Sequence, residues 1–70
     1  MKVNIYKFLL KEAEANKEKA LLTLDLMSNH SVGIGDHSTE DFYKNAREAL
    51  HELCEANEQI ETIKSLTKND

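Results

Sequence analysis

The sequence contains no proline and no tryptophan, and it has only two glycines, one cysteine and four aromatic residues in 70 positions. Because proline and glycine interrupt helices, their scarcity allows long helical segments. The single cysteine, Cys54, cannot form a disulfide within the chain and suits a reducing compartment. A chain of this length is at the low end for a stable core and usually needs a disulfide, a metal or a partner chain.

Positive charge is also scarce, and it is unevenly distributed. Residues 1–28 hold five lysines against four acids, whereas residues 36–70 hold nine acids against four bases, which gives the net charge of −4. An acidic chain with a single arginine is a poor electrostatic partner for a phosphate backbone, so we expect no nucleic-acid binding. No segment approaches the roughly 20 apolar residues that span a bilayer, and no secretory leader is visible. We therefore expect a soluble, cytoplasmic protein with no membrane partner.

Residues 2 to about 28 are rich in alanine, leucine, glutamate and lysine, which predicts a first long helix. Its residues recur at alternating spacings of four and three, as in a helix that packs on another helix. This front stripe comprises Tyr6, Leu10, Ala13, Lys17, Ala20, Leu24 and Met27. Two interpretations of Asn16, beside the stripe, stay open. It lies at the edge next to the snorkelling Lys17, or it is a buried polar residue that fixes register or oligomer state.

A second set of apolar residues lies on nearly the opposite side of this predicted helix. This back stripe comprises Phe8, Ala15, Leu22 and Leu26. At about 100° per residue, Leu22 lies about 160° from Leu24 around the helix axis. One neighbouring helix covers only one of two opposite faces, so the back stripe predicts contact with another chain.

Residues 29–38 contain both glycines and interrupt the helical pattern, which predicts a loop. A second helix is predicted over residues 39 to about 66, with Ser38 and Asp41 in a capping-box arrangement at its start. Its apolar residues keep the spacing of the front stripe without a polar interruption: Phe42, Ala46, Ala49, Leu53, Ala56, Ile60 and Ile63. The fold class is therefore all-α, with residues 1–70 as one antiparallel hairpin of two long helices.

Pairing the two helices antiparallel places Ala13 opposite Ala56 and Ala20 opposite Ala49, which allows a close approach. Apolar residues outside this contact predict a second copy of the chain and a dimeric four-helix bundle with two-fold symmetry. The predicted oligomer interface comprises Phe8, Leu10, Ala15, Leu21, Leu22, Leu26, Tyr43, Leu50 and Cys54.

Four residues around the loop are candidate metal ligands, namely His30, Asp36, His37 and Asp41. Imidazole and carboxylate are common ligands, but this spacing matches no established zinc or calcium pattern. Turn and cap chemistry explains each residue separately. We therefore predict no metal and no cofactor, and a metal-binding loop stays open as an alternative.

No catalytic set is predicted. Glu48 and His51 have the E-x-x-H spacing of di-iron bundles, but His51 lies about 170° from the centre of the apolar stripe. Cys54 and His51 diverge by about 60°, and nothing activates the thiol. The glutamates of the second helix form an acidic band that is either solvated or a docking surface for a basic partner: Glu48, Glu52, Glu55 and Glu58.

The loop carries the motif Val-Gly-Ile-Gly-Asp-His-Ser at 32–38, with Ile-Tyr-Lys-Phe-Leu at 5–9 and Ala-Asn-Glu-Gln-Ile-Glu-Thr-Ile at 56–63. In these segments the chain resembles short uncharacterised proteins of tailed phages, including the marine, T4-like ones. The resemblance covers most of the chain, and the loop motif is its specific part. It implies a small accessory phage protein in the cytoplasm of a bacterial host, and it supplies no activity and no site.

Together these features predict a small non-enzymatic protein that associates with itself. Its partners would be a second copy of the chain and a host or phage protein. A host-protein inhibitor or adaptor that uses the acidic band is the alternative from a different class.

Overall fold

The computed structural model of the chain describes residues 4–29 and 39–68. This part of the chain consists of two α-helices, α1 at Ile5–Asn29 and α2 at Thr39–Thr67, and contains no strand. The helices pack along each other in a rod of 52 × 16 × 15 Å. The predicted all-α hairpin is confirmed. The predicted capping box includes Ser38, which lies outside the described residues.

Helix α1 begins at an asparagine cap that the sequence reading missed. The backbone N–H of Lys7 donates to the Oδ1 of Asn4 at 3.0 Å and to its carbonyl oxygen at 3.2 Å. The first N–H groups of a helix have no partner within the helix, and an asparagine side chain supplies one. Asn4 therefore sets the start of α1 three residues after Met1.

The other end of α1 is closed by the side chain of Asn29, the last residue of the helix. Its Nδ2 donates to the carbonyl oxygen and to the Oδ1 of Asp25, both at 2.9 Å. The Asp25 carbonyl is also the i→i−4 acceptor of the Asn29 backbone N–H, so the side-chain amide adds a second donor to it and holds the last turn of the helix together. No basic residue lies in the last turn of α1, and the amide is the polar group that serves this end.

The contact between the helices is lined by small side chains. The buried residues of the described chain are Ala13, Ala20, Ala49, Ala56 and Ile63. Alanine on alanine at two levels lets helix axes approach to the short end of the usual range, about 8 Å. These four alanines form the alanine seam. Larger apolar residues of both helices border it and are half-buried: Leu9, Leu10, Leu24, Met27, Phe42, Leu53 and Ile60.

The centre of the front stripe shows how its polar residues are placed. Asn16 is exposed and Lys17 is half-buried, and no polar side chain of the described residues is buried. The interpretation of Asn16 as a buried polar residue is therefore wrong for the hairpin itself. Lys17 follows the other interpretation, in which its aliphatic stem covers apolar surface while its ammonium reaches water.

Candidate interaction surface

One side of the hairpin carries large apolar side chains from both helices. Around the helix axes, Leu10 and Leu21 lie about 70° and 90° from the alanine seam of α1, and Leu50 and Tyr43 lie about 110° and 130° from that of α2. Because the helices are antiparallel, the same sense of rotation on each brings all four to one side, here called the apolar flank. Leu21, Tyr43 and Leu50 are exposed, and Leu10 is half-buried.

The opposite side of the hairpin carries both polar and apolar side chains. A shallow groove there is lined by Asn16 and Lys19 of α1 and by Glu52 and Gln59 of α2, among others. A second groove further along brings Glu12 to the same glutamine and is lined by Leu9 and Ile63 as well. These linings place residues of the two helices side by side in the register that the alanine seam predicts.

The back stripe of α1 is also uncovered within the chain. Leu22 is 62% exposed, and Phe8, Ala15 and Leu26 are exposed as well. Helix α2 packs on the side of α1 that carries Ala13 and Ala20, about 180° from Leu22. Scattered exposed leucines are common on proteins, but an apolar stripe directly opposite a packed face is the arrangement of a helix that is covered twice.

The hairpin exposes more surface than a compact protein of its mass. Its accessible surface is 5709 Å², whereas a compact monomer of 8.0 kDa exposes about 4,450 Å². The excess is about 1,250 Å². A standard protein interface removes about 800 Å² from each partner, so the hairpin has enough surplus surface for one such interface.

The structure places the acidic band on the surface of α2. Glu48, Glu52, Glu55 and Glu58 are all exposed. Among the described residues, the ion pair joins Lys11 Nζ to Glu14 Oε1 at 3.9 Å, both on α1, and none involves the acidic band. The four carboxylates give this face of α2 an excess of acidic groups, with Lys19, Lys44 and Arg47 beside some of them. Such a face attracts a basic surface over a distance that salt shortens.

The other candidate sites are not assembled by the described residues. His51 and Glu48 lie with Lys44 and Arg47 on an open, exposed surface of α2, and no residue of α1 joins them. Cys54 is exposed and reduced. These side chains lie on one helix with no second helix to form the opposite wall of a site.

The candidate metal ligands fall mostly outside the described residues. Asp41 lies in the first turn of α2 and is exposed, whereas His30, Asp36 and His37 belong to the part that the structure does not describe. Within residues 4–29 and 39–68, no group of three or more histidine, cysteine or acidic side chains is placed to hold a metal ion.

Two exposed apolar residues were missed by the sequence reading. Ile5 and Leu66 are 60% and 59% exposed at the open end of the hairpin, one on each helix. Each lies about 80–100° from the alanine seam on the side of the grooves, so they form a small apolar spot apart from the apolar flank. Ile5 is the first residue of α1, next to Tyr6 of the front stripe. The periodicity of the sequence therefore did not show that its side chain is exposed.

Comparison with known proteins gives no relative from which a function can be transferred. The chain matches no protein-family model, no curated protein and no solved structure. Neither of the two described helices has an apolar stretch long enough to cross a membrane. The surfaces of the hairpin therefore provide the evidence on its function.

Proposed function

We propose that this protein is a small, non-enzymatic, self-associating helical protein whose hairpin pairs with a second copy into a four-helix bundle. The observation that carries the proposal is the exposed apolar flank beside an alanine-lined seam. A hairpin whose buried residues are mostly alanines gains little from its own core, because burial contributes about 25 cal/mol per Å² of apolar surface. Covering the flank adds the larger side chains to a common core.

The energy available from the flank can be estimated from one leucine. Leu50 is 53% exposed in the hairpin, and complete burial of a leucine is worth about 1.5–3 kcal/mol. Covering the remaining half contributes about 1 kcal/mol per chain. A two-fold dimer contains two copies of Leu50, so this residue alone contributes about 2 kcal/mol to association.

Leu50→Glu tests this role, with Leu66→Glu as the matched control. Both leucines are on α2 and similarly exposed, at 53% and 59%, but only Leu50 lies on the apolar flank. We expect Leu50→Glu to raise the dissociation constant at least about 30-fold, the equivalent of about 2 kcal/mol, and Leu66→Glu to leave it near that of the original chain. Sedimentation equilibrium over a range of concentrations measures both. A folded monomer at micromolar concentration in the unaltered chain would overturn the proposal.

The back stripe has its own test within the same experiment. A dimer that forms through the apolar flank leaves Leu22 uncovered, so Leu22→Glu is expected to weaken association beyond that dimer. Circular dichroism should show an intact helical hairpin, since Leu22 contributes little to the alanine seam. If the mass distribution of Leu22→Glu equals that of the original chain at every concentration, the back stripe takes no part in assembly and the apolar flank alone mediates it.

A second candidate function is favoured by the exposed acidic band. In that proposal the protein is an inhibitor or adaptor whose glutamates bind a basic surface of another protein, and the likeness to phage proteins would make that partner a host or phage protein. A pull-down that compares the original chain with a variant carrying Glu52→Gln, Glu55→Gln and Glu58→Gln tests it. Recovery of the same proteins at low and high salt, or by both chains, counts against it.

A further inference from the structure

The apolar flank also constrains how a second copy is oriented. Two hairpins that meet through this flank with two-fold symmetry have two arrangements. If the two-fold axis runs along the hairpin (the lengthwise axis), the helix connections of both copies lie at the same end, and α1 of each copy packs on α2 of the other. If the two-fold axis runs across the hairpin (the crossed axis), the helix connections lie at opposite ends, and α1 packs on α1 and α2 on α2. In both cases neighbouring helices are antiparallel, so helix dipoles do not distinguish them.

The charges of the two helices distinguish the arrangements. Helix α1 holds four lysines and four acids and is neutral, whereas α2 holds seven acids against three bases and carries −4. The crossed axis places α2 beside α2, each with a charge of −4. The lengthwise axis places each acidic helix beside a neutral one, and it avoids this repulsion.

Single charges at the edges of the flank agree with the lengthwise axis. In the register of the seam, Lys7 lies at nearly the height of Glu61, and both lie about 120° from the seam on the apolar side of their helices. The lengthwise axis therefore brings Lys7 of one copy to Glu61 of the other.

The apolar residues agree as well. Leu21 and Leu50 differ in height by about two residues, or 3 Å, so the lengthwise axis packs Leu21 of each copy on Leu50 of the other. With the axis across the middle of the hairpin, Leu21 comes instead to the height of Glu14 of the second copy. Glu14 lies on the same side of α1, and its carboxylate would lose water against a leucine without gaining a cation.

We propose that two copies pair with their connections at the same end, with α1 of each on α2 of the other and Leu21 and Leu50 at the centre of the contact. The inference rests on the proposed self-association and specifies its geometry. It assigns Lys7 of each copy and Glu61 of the other to two symmetric salt bridges between the copies.

Distances between spin labels in a Cys54→Ala background test the arrangement. Glu40→Cys and Thr62→Cys place labels on exposed positions near the two ends of α2, and His51→Cys places one near its middle as the control. The lengthwise axis keeps each pair of labels at one height, so the three distances agree within about 10 Å. The crossed axis separates the Glu40→Cys labels by about 35 Å along the rod and leaves the middle pair at nearly one height.

Longer distances at both ends than in the middle would overturn the arrangement while leaving self-association intact. The absence of any dipolar coupling, together with a monomer mass, would overturn both. Zero-length carbodiimide cross-linking of the unaltered chain provides a second measurement, free of substitutions, in a mixture of ¹⁵N-labelled and unlabelled protein. We expect a cross-link of mixed isotope composition between Lys7 and Glu61. Its absence while dimer forms would also count against the arrangement.

Discussion

The alanine seam can be tested by enlarging one of its side chains. Ala20 is 1% exposed and faces α2 at the level of Ala49, which is 5% exposed. Ala20→Leu adds three carbon atoms where the helices approach most closely, and overpacking of this kind costs about 1–3 kcal/mol. For a chain of this size each kcal/mol lowers the melting temperature by about 4–8 °C, so a cost near 2 kcal/mol predicts a fall of about 8–16 °C.

Ala15→Leu is the matched control for this experiment, because Ala15 lies on the same helix and is exposed. Alanine and leucine are both strong helix formers, so the exchange at an exposed position changes helix stability by only a few tenths of a kcal/mol. Circular dichroism at 222 nm follows the melting of both variants at one protomer concentration, since association raises the melting temperature with concentration. If Ala20→Leu melts within about 3 °C of Ala15→Leu, the helices are not in close contact at this level and the reasoning is wrong.

Two further predictions concern the cap and the thiol. Asn4→Ala removes the side-chain acceptor of the Lys7 N–H and should lower the free energy of unfolding by about 1 kcal/mol. We expect the melting temperature to fall by about 4–8 °C. An unchanged melting temperature would mean that the cap does not form in solution. Cys54 is exposed in the single hairpin and belongs to the predicted interface, so its alkylation by iodoacetamide, followed by mass spectrometry, should slow as protein concentration rises. An equal rate at all concentrations would remove Cys54 from the interface.

The hairpin was predictable because both helices repeat one simple pattern. Alternating steps of four and three placed Ala13, Ala20, Ala49 and Ala56 on facing sides, and all four are buried. The start of α1 was not predicted correctly, because the hydrophobic pattern does not mark where a helix begins. That start is marked by the cap residue Asn4. Local capping chemistry, rather than periodicity, decides the ends of helices.

The candidate surface was predictable only as a set of residues. The sequence identifies which apolar side chains α2 cannot cover on α1, such as Leu22, since that follows from angles around a single helix. Whether a leucine such as Leu50 is covered depends on contacts with a second chain. The hydrophobic pattern of one chain does not contain those contacts. Asn16 illustrates the same limit, because its exposure in the hairpin could not be read from its place beside the stripe.

The seam of alanines carries little positional information. Ala13 and Ala20 are seven residues apart, as are Ala49 and Ala56, so sliding one helix along the other by about 10 Å again places alanine on alanine at one of the two levels. Alanine has no side-chain rotamers that could distinguish these alignments. The covalent connection between Asn29 and Thr39, together with the larger residues at the ends of the stripes, therefore selects the alignment. Supplied as two separate peptides, the same helices would pair in more than one register.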